Sequence, residues 1–314
     1  MNPAEIQAIV TKAAQAVEDG YVFPDKGADI AALLRAHLAE DRYAACTRPA
    51  ELGSSVTADL CAASGDLHLR LLFHEDGAVG EEDQAALAAA WAEQARQTAG
   101  GMRRVERLDG NIGVIEVGPV LGHPGTAGGA VVAAMSLVAD ADALVIDVRG
   151  CRGGSPDGVV LLLSHLFGDE PVRLSDIESR EEGTRQFWTA AVLPGRRFGP
   201  DKPAAVLVGP ETFSGGEGLA FDLQEQGRAT IVGESTRGGA HPRIGVVVHP
   251  QLELTLPVAR SVSLFTGGNW EGVGVQPDVE VPADQALDTA LALLRESLQD
   301  RVGQGTSDPA KTVR

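Results

Sequence analysis

The first 65 residues carry apolar side chains at the spacing of helices. Apolar residues recur at steps of three and four, which places them on one helix face: Ile6, Ile9, Val10, Ala13, Ala14 and Val17. Two further helices are predicted over residues 30–38 and around residues 56–60, and Pro24 separates the first helix from the second. The alternation at residues 67–71 then predicts a half-buried strand, with His68 and Arg70 on the face opposite the leucines.

The pattern changes after a predicted alanine-rich helix at residues 81–98. Short apolar runs predict strands at 112–117, 143–148, 204–208 and 231–232, with helices at 127–139, 158–167 and 215–226. This alternation indicates an α/β core with largely parallel strands. A hairpin between residues 246–248 and 252–256, and a helix at 284–298, complete the prediction.

Composition and charge narrow the classes of partner. The 314 residues include 44 Asp and Glu against 26 Lys and Arg, a net charge of −18 that disfavours nucleic acids and anionic membranes as partners. No run approaches the ~18 apolar residues of a membrane span, and the first residues do not resemble a secretion signal, so we expect a soluble, cytoplasmic protein. The three cysteines include no CxxC pair, and the sequence contains no phosphate-loop, dinucleotide-binding or HExxH motif, so we expect no cofactor and no metal.

A serine stands where a predicted buried strand turns into a helix. Ser214 and Glu217 fit a capping box, in which each side chain satisfies a free amide at the helix start. Alternatively, the turn displays the Ser214 hydroxyl as a nucleophile, with the following amides of Gly215 and Gly216 facing a developing oxyanion. The residues alone leave both interpretations open.

A second glycine turn follows the predicted strand at 143–148. Gly153 and Gly154 permit close backbone approach to a ligand, although glycine is also common in any tight strand–helix turn. Cys151 borders this turn, but no base is evident for it, and we expect a packing role.

Four motifs in order carry a family resemblance: Asp147-x-Arg149-x-x-x-Gly153-Gly154, Thr212-x-Ser214-x-x-Glu217, Gly233-Glu-x-Thr236-x-Gly238-Gly and Gly272-Val-Gly-Val-x-Pro-Asp278. Together they resemble the tail-specific (carboxy-terminal processing) serine peptidase family. The segments Tyr21-Val-Phe-Pro24 and Ser64-Gly-Asp-x-His68 resemble its bacterial branch related to interphotoreceptor retinoid-binding protein. The resemblance implies a helical N-terminal domain (1–75), a ClpP/crotonase-like α/β core (76–302) without a PDZ domain, and a flexible tail (303–314).

The resemblance also suggests the catalytic residues. Processing proteases use a lysine base where this chain has Gly239, which excludes a Ser–Lys dyad at that place. The tricorn-like branch uses His, Ser and Glu, and His68 and Glu271 match that histidine and glutamate. We therefore predict Ser214 as nucleophile, His68 as base and Glu271 as its partner. His241 is the rival base, because it lies in the loop that carries the lysine in relatives.

The oxyanion donors are predicted to be the backbone amides of Gly215 and of Gly153 or Gly154. Both glycine turns follow buried strands, and neighbouring parallel strands bring their carboxyl ends together.

Three classes of function stay open at this point. A serine peptidase acting on peptides or proteins is favoured, because a carrier has no chemical need for Ser, His and Glu together. The alternatives are a module that binds hydrophobic ligands such as retinoids or fatty acids, and a pseudoenzyme scaffold. ClpP/crotonase-type relatives often assemble, which leaves a homo-oligomer open.

Overall fold

The computed structural model describes residues 1–79 and 84–305. In chain order its helices are α1 (Pro3–Gly20), α2 (Pro24–Ala39), α3 (Pro49–Ser64), α4 (Gln84–Gln97), α5 (Pro124–Val138), α6 (Pro156–Ser164), α7 (Gly215–Glu225) and α8 (Ala286–Gly305). Its strands are β1 (Arg70–Phe73), β2 (Met102–Leu108), β3 (Ile112–Val117), β4 (Ala143–Asp147), β5 (Asp176–Ser179), β6 (Gly183–Arg185), β7 (Ala204–Val208), β8 (Thr230–Gly233), β9 (Arg243–His249), β10 (Leu252–Pro257), β11 (Ala259–Val262) and β12 (Val279–Glu280). None of the helices described is long and apolar enough to cross a bilayer.

Two compact units divide the chain, and each is discontinuous in sequence. The first comprises Met1–Trp91, Ser175–Gln186 and Gly239–Gly272; the second comprises Ala92–Leu174, Phe187–Gly238 and the chain from Val273 onward. The sequence domains predicted at 1–75 and 76–302 stay a prediction. Of the tail predicted from residue 303, residues up to Gly305 belong to α8 and 306–314 lie outside the described part, as do residues 81–83 of the helix predicted at 81–98.

The first unit begins with the three helices predicted from the periodicity. Each of α1, α2 and α3 has proline in its first turn, where the missing amide hydrogen costs nothing. Asn2 and Glu5 cap α1 reciprocally: Glu5 N donates to Asn2 Oδ1 (2.9 Å), and Asn2 N donates to Glu5 Oε2 (2.8 Å). The buried faces of these helices share one apolar core with β1, β9 and β10.

Two small sheets complete the first unit. One has the antiparallel order β1-β10-β9, which includes the predicted hairpin, and the other has the order β11-β5-β6. The strand predicted at 67–71 begins only at Arg70, so the expectation that His68 occupies a strand face was wrong. Asp66 Oδ1 accepts the amide hydrogen of His68 (2.9 Å), which holds that residue in a turn and competes with strand pairing.

A six-stranded sheet of order β12-β8-β7-β4-β3-β2 forms the centre of the second unit. Only β2 pairs antiparallel with its neighbour; the other pairings are parallel. All residues of β4 and β7 are buried, as expected for parallel strands covered on both faces. The predicted α/β core is therefore confirmed, and the pairing of Asp147 with Leu207 brings the ends of β4 and β7 to one edge.

Candidate active site

Ser214 occupies a strained turn between β7 and α7. It is the residue before the first turn of α7, with φ +52° and ψ −118°. Positive φ is uncommon for a residue with a side chain, and such strain concentrates at functional positions. A serine on a sharp strand-to-helix turn with strained backbone is also how the nucleophile of other hydrolases is displayed. The half-buried Ser214 shows this local conformation without their GxSxG sequence.

Glu217 and Ser214 occupy the two positions of the predicted capping box. Glu217 Oε2 accepts the amide hydrogen of Ser214 (2.7 Å), whereas the Ser214 hydroxyl makes no cap hydrogen bond. Its Oε1 accepts hydrogen bonds from Thr236 Oγ1 (2.5 Å) and from the Gly238 amide (2.6 Å). This fully buried carboxylate ties the serine turn to the segment Thr236–Gly238 and leaves the hydroxyl unused by the cap.

The two glycine turns predicted to form an oxyanion site lie directly against each other. A methyl group added at Gly215 would stand 2.8 Å from Gly154 N, and one added at Gly153 would stand 3.6 Å from Ser214 Cβ. The Phe213 amide also donates to the carbonyl of Cys151 (3.0 Å). This hydrogen bond joins two turns that lie far apart in the sequence.

The amides of these turns are placed to donate. Gly215 is the first residue of α7, a position whose amide has no partner within a helix. Within residues 1–79 and 84–305, no hydrogen bond is donated by the Gly154 amide. The structure thus brings together Ser214 and the three glycines predicted as oxyanion donors.

Cys151 is held as a buried thiol beside this turn. Burial raises its pKa to about 11, and its Sγ lies 3.3 Å from the carbonyl oxygen of Gly153. A thiol with this pKa is protonated near neutral pH and is a poor nucleophile. The structure therefore agrees with the packing role expected for Cys151.

The predicted histidines belong to a buried polar network in the first unit, centred on Asp66. Asp66 Oδ2 accepts hydrogen bonds from His241 Nδ1 (2.7 Å) and from the Tyr21 hydroxyl (3.1 Å). Its Oδ1 accepts the amide hydrogen of His68 (2.9 Å), so one carboxylate anchors both candidate bases. Neither Asp66 nor Tyr21 was predicted as a site residue, although both stand in the motifs that carry the resemblance.

The network shifts the pKa values of its members. Burial alone would raise the pKa of Asp66. The hydrogen bond and charge of His241, followed by those of His68, together outweigh burial, so this pKa lies below its ordinary value. Burial, followed by the charge of Asp66, raises the pKa of Tyr21 well above its usual range. Asp66 is therefore a carboxylate acceptor and Tyr21 a protonated donor at neutral pH.

Glu271 lies beside His241, the rival base. Its Oε2 is 3.5 Å from His241 Nδ1 and accepts the amide hydrogen of Ala240 (2.5 Å). Trp270 Nε1 donates to the carbonyl of Gly239 (2.9 Å), which fixes the Glu271 loop against the same segment. His68, the predicted base, is buried at 8% exposure.

Among the residues described, one set of side chains has donor atoms that could hold a metal ion: Asp66, His241 and Glu271. These atoms lie within 4.8 Å of one another. The 2.7 Å between His241 Nδ1 and Asp66 Oδ2 is a hydrogen-bond length, however, and two ligands of a tetrahedral zinc ion lie about 3.3 Å apart. The geometry is that of an acid–imidazole hydrogen bond.

Solved structures share this fold over nearly the whole chain. A lipoprotein from Streptococcus agalactiae is 14% identical with a TM-score of 0.61, covering 95% of this chain and 98% of that one. The photosystem II D1 C-terminal processing protease is 16% identical with a TM-score of 0.53, covering 90% and 94%. Tricorn protease is 15% identical with a TM-score of 0.60, covering 94% of this chain and 37% of that one. At these identities the likeness establishes the fold.

Sequence-family models extend the comparison to both halves of the chain. The model for the N-terminal domain of peptidase S41 in eukaryotic IRBP matches residues 3–103. The model for peptidase family S41 itself matches residues 111–281, which include Ser214, the glycine turns and Glu271. The resemblance drawn from the four motifs is thereby confirmed, and the chain belongs to peptidase family S41.

Proposed function

We propose that this serine peptidase cleaves peptide bonds with Ser214 as nucleophile, His68 as general base and Glu271 as the supporting carboxylate. The observation that carries the proposal is the strained Ser214 turn, whose hydroxyl is not used by the helix cap and whose flank is the Gly153–Gly154 backbone.

The chemistry follows from these roles. A neutral imidazole takes the hydroxyl proton while Ser214 Oγ attacks the carbonyl carbon, and the imidazolium then protonates the leaving amine. Water, activated by the same imidazole, hydrolyses the acyl-enzyme and restores the serine. Amides of Gly215 and of Gly153 or Gly154 would stabilise the oxyanion, which needs donors ~3 Å from one point.

A serine-directed probe tests the nucleophile. We expect a fluorophosphonate to label the wild-type protein and not Ser214→Ala, whose turnover should be abolished while at most ~1 kcal/mol of stability is lost. Ser155→Ala is the matched control, because Ser155 also precedes a helix but has an ordinary φ of −69° and, like Ser214, makes no side-chain cap hydrogen bond. Turnover by Ser214→Ala at the wild-type rate would overturn the proposal.

The choice of base is tested by comparing both histidines. If His68 is the base, His68→Ala should lower kcat far more than Glu271→Gln, since the carboxylate only supports the imidazole. The rate should rise with pH as the catalytic imidazole loses its proton and becomes able to act as a base. His241 has the carboxylate contact on Nδ1 that orients a catalytic imidazole. A loss of the pH-dependent limb in His241→Ala, with the limb retained in His68→Ala, would transfer the assignment to His241.

The substrates proposed are peptides, and specificity for protein tails, cytoplasmic location and self-assembly stay predictions. Saturable binding of retinol or a fatty acid, without labelling of Ser214, would favour the carrier alternative instead.

A further inference from the structure

Arg237 places a positive charge against the turn that carries the proposed nucleophile. Its guanidinium carbon lies 5.1 Å from the centre of the Phe213 ring, and Phe213 is the residue before Ser214. The Arg237 amide donates to the carbonyl of Thr212 (3.1 Å), so the backbone of the arginine is attached to the same turn. The ring contact and this hydrogen bond together hold the charge against the turn that carries Ser214.

The surrounding segment restricts where Arg237 can move. The residues before and after it, Thr236 and Gly238, both donate hydrogen bonds to the buried carboxylate of Glu217. The base of the arginine is thus fixed on both sides, while its side chain is exposed. An exposed guanidinium on a fixed base is preorganised for a ligand, because less chain entropy is lost when the ligand binds.

The charge of Arg237 is not neutralised by the described chain. Arg152, which flanks the turn from the Gly153 side, pairs with Glu211 (2.9 Å). For Arg237, no carboxylate within ion-pair distance occurs among residues 1–79 and 84–305. In a chain of net charge −18, an arginine without an ion-pair partner at this position can attract an anionic group of a ligand.

We propose that Arg237 selects peptides that carry a carboxylate close to the scissile bond. This inference rests on the proposed peptidase function and names its substrate class. The planar guanidinium can stack on Phe213 with one face and bind a carboxylate with two parallel N–H donors along its edge. The carboxylate could belong to an Asp or Glu side chain or to the peptide's own C-terminus, and both present the same group.

Matched peptides test the selection and separate the two sources. Internally quenched peptides carry Glu or Gln at each position around the cleaved bond, and each is made with a free and an amidated C-terminus. For the wild type, we expect kcat/KM to be about three- to tenfold higher for the carboxylate form at one position. A Glu-over-Gln ratio assigns the carboxylate to a side chain, and a free-over-amidated ratio assigns it to the terminus.

Variants show whether Arg237 causes the ratio. In Arg237→Gln the ratio should fall to about one, and Arg237→Lys should retain part of it, since a lysine keeps the charge without the fork. Arg301→Gln is the control, because Arg301 is an exposed arginine in the final turns of α8 and lines a cavity at the opposite edge of the sheet, with Asp142 and Lys202. Its ratio should equal that of the wild type. In wild type the ratio should shrink as NaCl rises from about 0.05 to 0.5 M.

Binding to an inactive variant keeps the inference independent of turnover. Fluorescein-labelled carboxylate and amide peptides are titrated into Ser214→Ala, with and without Arg237→Gln, and followed by anisotropy. Tighter binding of the carboxylate peptide that disappears with Arg237→Gln supports the selection, even if no peptide is cleaved. Equal binding of both peptides, no binding of either, or a ratio that survives Arg237→Gln would overturn it. Failure of fluorophosphonate labelling would count against the peptidase function alone.

Discussion

Glu217 offers the sharpest test of how the serine turn is held. Its carboxylate accepts three hydrogen bonds, from the Ser214 amide, the Thr236 hydroxyl and the Gly238 amide. Glu217→Gln keeps the shape of the side chain but leaves one acceptor oxygen. If that oxygen stays with Thr236 and Gly238, the new NH₂ group faces the Ser214 amide, and two donors oppose each other in a buried site.

The expected loss can be worked out from this geometry. A hydrogen bond to a charged group contributes ~1.5–3 kcal/mol, and a buried donor left without a partner costs ~1–3 kcal/mol. We therefore expect Glu217→Gln to lower the free energy of unfolding by about 2–4 kcal/mol. The strained φ of Ser214 costs ~1–3 kcal/mol and is supported by this contact, so relaxation of the turn should lower kcat by about 10- to 100-fold.

Urea unfolding followed by circular dichroism measures the free energy of unfolding, and hydrolysis of a peptide by the folded variant measures kcat. Glu211→Gln is the matched control, since Glu211 lies in the same turn but is 61% exposed and forms a surface ion pair with Arg152. A surface pair of this kind contributes ~1 kcal/mol or less. If the two variants unfold at free energies within about 0.5 kcal/mol of each other, Glu217 does not hold the turn and the reasoning fails.

Two further perturbations follow from the packing of the second unit. Gly215→Ala directs a methyl group at the Gly154 backbone, 2.8 Å from its nitrogen, so kcat should fall about 100-fold or more as the turns separate. In the control Gly129→Ala the added methyl group meets nothing within 4 Å and should leave kcat unchanged. Steady-state hydrolysis compares the two variants. Burial, and then the charge of Arg197, lower the pKa of His165, so the unfolded chain binds this proton more readily. The resulting stability is present above about pH 6.5 and is lost as pH falls below it. Urea midpoints at pH 7.5 and 5.5 should therefore differ less in His165→Gln than in the wild type. An equal difference in both proteins would show that His165 does not cause this loss of stability.

The core of the fold could be predicted because its pattern is local. Strands β3 and β7 have the bounds that their apolar runs predicted, since parallel strands buried on both faces read as continuous apolar segments. Strands β5, β6 and β11 were missed, because they are short and at most half buried along much of their length, which leaves no clear period. The pairing of β11 with β5 joins segments some 80 residues apart, as in Arg260 with Glu178, and no local window contains that contact.

The same distinction separates the two groups of candidate residues, one in each unit. Ser214 and the glycine turns could be found because each follows its own buried strand, and neighbouring strands end at one edge. Tyr21 and His241 meet Asp66 across 45 and 175 residues of sequence, so their hydrogen bonds depend on tertiary packing that no periodicity reports. His68 was placed on a strand face for a different, local reason: the alternation of leucines was visible, whereas the hydrogen bond from its amide to Asp66, two residues earlier, was not.

Asp66 determines how variants of the two histidines should be interpreted. One of its oxygens holds the backbone of His68, and the other holds the imidazole of His241. His68→Ala keeps the amide that donates to Asp66, so it removes an imidazole and leaves this contact of the network intact. His241→Ala instead deprives a buried carboxylate of a partner that lowers its pKa, and Asp66 then takes up a proton at higher pH than before. A loss of activity in His241→Ala can thus arise through Asp66 without His241 being the base. His68→Ala perturbs the pKa of Asp66 less, because the amide hydrogen bond stays and only the smaller contribution of the His68 imidazole charge is removed. The pH profile resolves this ambiguity, because only removal of the true base abolishes the imidazole limb.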